Sequence, residues 1–376
     1  MHLLVISHTP HYYHHGQLVG WGPTVRELDA LASLCTELVH LAPLYDEPAP
    51  ATALPYASDK VRLESVPAAG GPSFWDKWKF VRLIPRYLRA MRAAVAGADV
   101  VQVRCPANIS LIAMLYLTLR RPPPIRWVKY GGNWQPEQSE PLFYRFQRWW
   151  LQRGWQGGIV TVNGRWPHQP AHITSFLNPS LAQTEIEAAQ EATSQKCLTW
   201  PIRLLFVGRV ERAKGIEQTL RIAAALKVPV HLDIVGDGPE RGDFEQQAAS
   251  LGIGHLVQFH GWQPRSNLNQ FYKQAHFILL PSLASEGWPK VLSEAMAYGV
   301  VPLASNISSI PQILAGIGSG KAYPAHNVAA FTRSICDYLE APDRWHRESL
   351  AGRRAASRFT YEVYVQAVGN LLAQME

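Results

Sequence analysis

The sequence predicts an α/β protein built from two doubly wound parallel sheets. Three observations point there. A chain of 376 residues is long for one core and suggests two domains of ordinary size. Its second half alternates short apolar runs with segments of helical period, the mark of βαβ units. Its first half repeats that alternation more loosely.

In the first half, "HLLVISH" (2–8) reads as a strand. Thr24 with Glu27 has capping-box spacing, opening a helix whose Val25, Leu28, Leu31 and Leu34 share one face. "DVVQVR" (99–104) and "IRWVKY" (125–130) are further strands. Between them "CPANISLIAMLYLT" (105–118) is shorter than a bilayer needs and reads as a core helix. "NPSLAQTEIEAAQEATSQKCLTWP" (178–201) is polar and without strand character, so it reads as a connector.

Beyond it come strands "IRLLFVG" (202–208), "VHLDIVG" (230–236), "VQFHG" (257–261), "HFILLPS" (276–282) and "VVPLAS" (300–305). The intervening helices are "IEQTLRIAAALK", "RGDFEQQAASLG", "NLNQFYKQA" and one opening at Pro289 and stopping at Gly299. The boundaries drawn are 1–178 for a first domain, 179–359 for a second, and a terminal helix, 360–376, returning to the first. Such folds bind ligands beyond the strand C-terminal ends, here in a cleft between the domains.

Composition narrows the class. With 47% hydrophobic and 17% charged residues the chain is globular. Cys35, Cys105, Cys197 and Cys336 have no paired spacing, which argues against a disulfide framework or zinc site and suits a reducing, cytoplasmic compartment. "MHLLVISHTP" lacks a basic lead, so it reads as a first strand and not a signal peptide. The net charge of +7 comes from residues 1–180, with 18 Lys+Arg against 11 Asp+Glu; residues 181–376 hold 18 of each.

The loops after the second-half strands carry the chemistry. Arg209 and Lys214 bracket a short loop between Gly208 and a helix, which suits a diphosphate or, equally, a solvated basic turn. "IVGDGPE" (234–240) places Gly238 in a glycine turn, and "HGW" ends a strand with Gly261 and Trp262 where a nucleobase could lie. "SEGWPKVLSEAMAYG" (285–299) sets Glu286 in a loop and Glu294 in the second turn of a helix, within reach of a ligand over the helix N-terminus; a capping acid with a surface glutamate is the plainer alternative.

The order G-R-x4-K-G, G-D-G-P, H-G and E-G-x-P with E-x7-E resembles the donor half of the retaining nucleotide-sugar glycosyltransferases of family 4, glycosyl transferases group 1, over residues 203 to 312. The resemblance implies the GT-B fold, two Rossmann-like domains facing each other across a cleft. It implies transfer of a sugar from a nucleotide diphosphate donor (UDP-, GDP- or ADP-linked) to a saccharide or lipid-linked acceptor, with retention and without a metal or other cofactor. On this chain it puts Arg209 and Lys214 on the pyrophosphate, Glu286 on the sugar and Glu294 on the ribose. The backbone around Gly287, Trp288, Lys290 and Val291 would cap the phosphates. Two departures stand on the acceptor side. "GWGPT" has Trp21 between Gly20 and Gly22 where many members have a glycine pair, and "IRWVKYGGNW" offers Tyr130 and Asn133 where many have a histidine. A non-catalytic nucleotide-sugar-binding partner subunit is the alternative from another class; a phosphorylase or epimerase is disfavoured by E-x7-E.

Two features of the first half remain. His8, His11, His14 and His15 in "SHTPHYYHHG" lack an accompanying carboxylate or cysteine, so a polar acceptor-side loop is preferred over a metal cluster. The stretch 74–95 has Phe80, Ile84, Tyr87, Leu88 and Met91 on one helical face and Lys79, Arg82, Arg86 and Arg89 on the other. With Trp75, Trp78, Trp149 and Trp150 and the arginines of 141–155, it reads as a surface helix or a contact with an anionic membrane, giving a peripheral place at the inner face. Nothing resembles a nucleic-acid module, and none is expected as a partner.

Overall fold

The computed structural model describes residues 1–68, 74–120, 123, 125–136, 140–284 and 287–375, with the backbone alone at 74–79. Glu286 and the side chains of Trp75, Lys77, Trp78 and Lys79 lie outside the described residues. The chain divides into two compact units, 1–177 with 364–376, and 178–363.

Unit 1 contains β1 (His2–Ile6), β2 (His11–His14), β3 (Gln17–Trp21), α1 (Gly22–Leu31), β4 (Glu37–Leu44), β5 (Ala53–Pro55), β6 (Val61–Pro67), α2 (Phe74–Ala96), β7 (Val100–Cys105), α3 (Asn108–Thr118), β8 (Ile125–Tyr130), α4 (Leu142–Gln152), β9 (Ile159–Val162) and β10 (Ile173–Ser175). Its parallel strands run β6-β4-β1-β7-β8-β9-β10, the chain reversing direction across the sheet between β1 and β7. Both faces of the central strands β1, β7 and β8 are buried, as a parallel sheet covered by helices requires. Leu4, Ile6, Val101, Val103 and Val128 pack under α2, α3 and α4. Leu3, Val5, Val100 and Trp127 pack on the other face, under α1 and the chain's last helix.

The histidine-rich segment is an antiparallel hairpin and not the loop expected from sequence. Its turn is His15–Gly16, both at positive φ, the conformation two-residue hairpin turns require. Its His11 is fully buried: the ring accepts from the Tyr56 hydroxyl at 2.8 Å, and Tyr56 also meets His40 at 2.8 Å. Burial lowers the His11 pKa to about 4. Among the described residues no group of three or more His, Cys, Asp or Glu side chains could hold a metal ion.

The capping box is a second correction. α1 starts at Gly22, so Thr24 and Glu27 lie inside it, and no side chain caps it. Glu27 points inward instead. Its carboxylate, 2% exposed, takes Lys129 Nζ at 2.6 Å, Arg104 Nη2 at 3.1 Å and the Tyr364 hydroxyl at 2.9 Å.

Unit 2 contains α5 (Gln183–Ala192), β11 (Ile202–Val207), α6 (Ile216–Ala225), β12 (Val230–Val235), α7 (Arg241–Ser250), β13 (Val257–Phe259), α8 (Arg265–Gln274), β14 (Phe277–Leu280), α9 (Lys290–Ala297), β15 (Val301–Ser305), α10 (Ile310–Ile317), β16 (Lys321–Tyr323), α11 (Val328–Glu340) and α12 (Pro342–Ala356). The expected connector therefore holds a helix, α5, which buries Ile186 and Ala189. The six parallel strands run β13-β12-β11-β14-β15-β16, placing the topological switch point between β11 and β14. The chain leaves this unit through α13 (Tyr361–Ala373), whose Tyr364, Val368, Leu371 and Leu372 complete the α1-side core of unit 1. Among the described residues no helix is long and apolar enough to cross a membrane.

Candidate active site

At the C-terminal edge of the unit 2 sheet, four loops are locked together through their backbones. The loop after β11 contains a short 3-10 turn, Arg212–Lys214, ended by Gly215 with φ +81°. The Ala213 carbonyl accepts from the N–H groups of Leu283 and Ala284, both at 2.9 Å, and from the Ser282 hydroxyl at 3.2 Å. This ties the turn carrying Lys214 to the loop after β14, across the switch point. A Cβ at Gly215 would sit 2.0 Å from the Pro281 carbonyl oxygen, so only glycine permits this approach.

The next two loops close in the same way. Gly236, φ +136°, donates its N–H to the Gly261 carbonyl at 2.9 Å, and a Cβ there would fall 1.8 Å from the Gly208 carbonyl oxygen. Gly238 donates to the Asp237 carboxylate at 2.8 Å and accepts from the Arg241 N–H at 3.2 Å. Beyond Gly261 the Trp262 side chain is exposed. The buried Asp233 of β12 takes a hydrogen bond from His260 Nε2 at 2.6 Å, fixing the residue before Gly261.

Charge and helix ends complete the site. Arg209 is exposed and, among the described residues, pairs with Glu211 at 3.3 Å, while Arg212 pairs with Glu240 at 3.2 Å. Lys214 is half-buried directly before the N-terminus of α6. Cations beside a helix N-terminus, whose first N–H groups have no partner within the helix, form an anion site. The N-terminus of α9 lies at the other side of the switch point. Its N-cap is Pro289, one residue earlier in the cap than the sequence placed it, and the helix begins at Lys290.

Residues 195–355 match the sequence profile of glycosyl transferases group 1. Unit 2 contains a glycosyl transferases group 1 domain. A D-inositol 3-phosphate glycosyltransferase of Thermobispora bispora is 26% identical over 225 residues, 54% of this chain and 52% of that protein. An amylovoran biosynthesis glycosyltransferase of Erwinia amylovora is 28% identical over 189 residues, 48% of this chain and 44% of its own length. This chain thus spans about half the length of these relatives. Among solved structures, a sucrose-phosphate synthase of Thermosynechococcus elongatus superposes with a TM-score of 0.74 at 20% identity, covering 100% of this chain and 98% of that one. Anabaena HepE in complex with UDP-glucose gives 0.68 at 15% identity over 100% of both chains. Likeness at this level shows the fold, which is GT-B.

The rest of the group 1 domain sorts the sequence candidates by environment. Trp288 is 4% exposed, stacked on Phe359 at 5.3 Å, and its indole N–H donates to Ser293 Oγ at 3.3 Å, so its side chain fixes the loop. Gly287 is buried, its carbonyl accepting from Ser309 Oγ at 3.4 Å, and Lys290 and Val291 are half-buried in the first turn of α9. Glu294 is 6% exposed with both oxygens engaged: Arg265 Nη1 donates at 2.6 Å and the Tyr272 hydroxyl at 3.0 Å. Arg265 also binds Glu185 at 2.8 Å and the Ser180 carbonyl at 2.7 Å. Neither Arg265 nor Glu185 carries a signal in sequence, since their partnership spans 80 residues.

In unit 1 the acceptor-side candidates have packing roles. Gly22 donates to the Thr52 carbonyl at 3.1 Å as α1 begins. Tyr130 is 2% exposed against Trp134, and burial pushes its pKa up. Asn133 accepts the Gln135 N–H at 3.1 Å in a local turn.

Proposed function

We propose that the chain is a retaining, metal-independent glycosyltransferase. It moves a sugar from a nucleotide diphosphate donor to a saccharide or lipid-linked acceptor, and unit 2 binds the donor. The carrying observation is the cradle at the switch point, where the Ala213 carbonyl holds the Lys214 turn against the loop that leads to Glu286. It supports a reading in which the diphosphate lies against the N-terminus of α6 with Arg209 and Lys214 beside it. As the sugar–phosphate bond lengthens, negative charge grows on the leaving diphosphate, and these groups stabilise it without reorganising. Two cations and a helix end then take the part a magnesium ion has elsewhere. In a front-face transfer the leaving phosphate oxygen accepts the acceptor's proton, so the absence of a histidine at Tyr130 or Asn133 costs nothing.

Glu286 is assigned to the sugar hydroxyls. Glu294 is assigned to the ribose: a carboxylate has about four acceptor positions, and Arg265 and Tyr272 occupy two. Trp262 is assigned to the base. UDP is the first nucleotide to test, because HepE is seen with UDP and UDP-glucose. The same reading gives the chain a peripheral place on an anionic membrane surface, through the exposed Arg82, Arg86, Arg89 and Arg92 of α2.

The test is thermal shift against UDP, GDP, ADP and their sugar conjugates, followed by donor hydrolysis without acceptor. One nucleotide diphosphate should raise the melting temperature, since it binds only the folded state, and its conjugate should be slowly hydrolysed. No shift with any of them would remove the donor site.

A further inference from the structure

α4 is turned inside out for a surface helix. Its fully buried residues are Gln147, whose amide is spent on the Ala107 backbone at 3.2 and 3.1 Å, and Leu151. Leu142, Phe146 and Trp149, at i, i+4 and i+7, face outward at 77, 37 and 39% exposure. Apolar surface left in water is unfavourable, so this ridge has a cost that a matching apolar phase would remove. The rings are ordered among themselves: Phe146 lies 5.6 Å from Trp149, and Trp149 lies 4.9 Å edge-on to Trp155. Arg153 sits 4.8 Å over the Trp149 ring.

The neighbouring helices extend this surface with one sign of charge. α2, α3 and α4 share one core on one face of the unit 1 sheet. Residues 80–96, 108–120 and 142–155 contain eight arginines and no Lys, Asp or Glu. Among the described residues Arg148 is the one of these arginines with an ion-pair partner, Glu140. Leu119, 83% exposed, stands beside exposed Arg120 at the end of α3.

We propose that the outward side of the α2–α3–α4 layer docks on an anionic lipid surface, with the Leu142–Phe146–Trp149 ridge of α4 entering the boundary between headgroups and acyl chains. This rests on the peripheral-membrane reading above and deepens it by naming the ridge that enters the lipid. The occupant follows from chemistry. Arginines bind lipid phosphates, and indoles with arginine rims settle at the interface. A second copy meeting the same face would bring arginines against arginines. A nucleic acid would satisfy the arginines and leave Leu142 and Phe146 in water.

The full chain is sedimented with vesicles of phosphatidylcholine, with and without phosphatidylglycerol, and its tryptophan fluorescence is read against lipids brominated on the acyl chains. The unmodified protein should bind the anionic vesicles and be quenched. The double variant Phe146→Ser/Trp149→Ser should lose about tenfold or more in vesicle affinity, along with most of the quenching, at an unchanged melting temperature. The variant Arg82→Glu/Arg86→Glu/Arg89→Glu should lose binding in proportion to low-salt attraction. Salt-sensitive binding without quenching, retained within about twofold by the α4 variant, overturns the ridge and leaves the charge reading standing. Absence of binding by the unmodified chain overturns both. A concentration-dependent dimer abolished by the α4 variant, or tighter binding to RNA than to vesicles, assigns the face elsewhere. Should the α4 variant melt early, quenching of the unmodified protein decides alone.

Discussion

Arg209 and Lys214 look alike in sequence but have different settings: Arg209 reaches into solvent with Glu211 beside it, while Lys214 is half-buried at the helix entrance. Both should matter through phosphate charge. Arg209→Ala or Lys214→Ala should weaken nucleotide diphosphate binding by about 1.5–3 kcal/mol, the worth of a hydrogen bond to a charged group, and leave nucleoside binding nearly unchanged. Calorimetric titration with both ligands checks this; equal losses for the two would mean the loop is not the clamp. The two glutamates of the E-x7-E pattern should differ in kind. Ribose contacts are the same in ground and transition states, so Glu294→Gln should mainly raise the donor KM. Its hold by Arg265 and Tyr272 adds a fall in melting temperature. Sugar contacts change as the anomeric carbon moves, so Glu286→Gln should mainly lower kcat while free nucleotide diphosphate still binds. Full kcat in the Glu286 variant would refute its assigned role.

At the scale of elements, what could be read from sequence depended on whether a segment's partners lie nearby. β14 is an unbroken apolar run, β11 is interrupted by Arg203 alone and β12 by His231 and Asp233, and each is followed by Gly or Pro, so the six-stranded sheet and its loops were legible. β4 and β6 were not. "ELVHLAPL" carries His40 and Pro43 and "VRLESVP" alternates with charge, yet both are strands because they pair along seven positions. The β2–β3 hairpin hid behind its histidines, although the His15–Gly16 pair between "HYYH" and "QLVG" was a usable turn signal. The site divides the same way: the glycine and cation pattern is local and was found, whereas Arg265, Glu185 and Asp233 act through distant partners. In α1 the spacing of Thr24 and Glu27 suggested a cap because the buried cations that claim Glu27 lie 77 and 102 residues away. The two readings of Glu27 differ in magnitude. Removing a capping acid costs about 1 kcal/mol, whereas stranding buried Arg104 and Lys129 costs about 3–5 kcal/mol. The urea midpoint of Glu27→Ala should show the larger loss, and a loss near 1 kcal/mol would return Glu27 to the helix end.

On the scale of the whole molecule, both units wind their parallel strands in the same order about a switch point, between β1 and β7 in one and β11 and β14 in the other. They differ in how the core is closed. Unit 2 closes its own, whereas one face of unit 1 is completed by chain that arrives only after unit 2 has been traversed. Tyr364, Val368, Leu371 and Leu372 of α13 are each 6% exposed or less against Leu28, Leu31 and Trp127. Lys129 Nζ donates to the Tyr364 hydroxyl at 3.2 Å, and Tyr364 donates in turn to Glu27. At about 1.5–3 kcal/mol for each buried side chain, an upper estimate, these four contribute an amount comparable to the about 5–15 kcal/mol that holds a whole domain folded. Deleting 364–376 should therefore unfold unit 1 while unit 2, whose core and cradle contain none of these residues, stays folded. Calorimetry of the shortened chain should show one surviving transition, and the nucleotide diphosphate that binds the full chain should still raise it. Hydrogen exchange should show protection lost in β1, β7 and β8 and kept in β11, β12 and β14. If β1, β7 and β8 stay protected, α13 is an ornament on a core that closes without it; if protection falls in both units together, unit 2 does not stand alone.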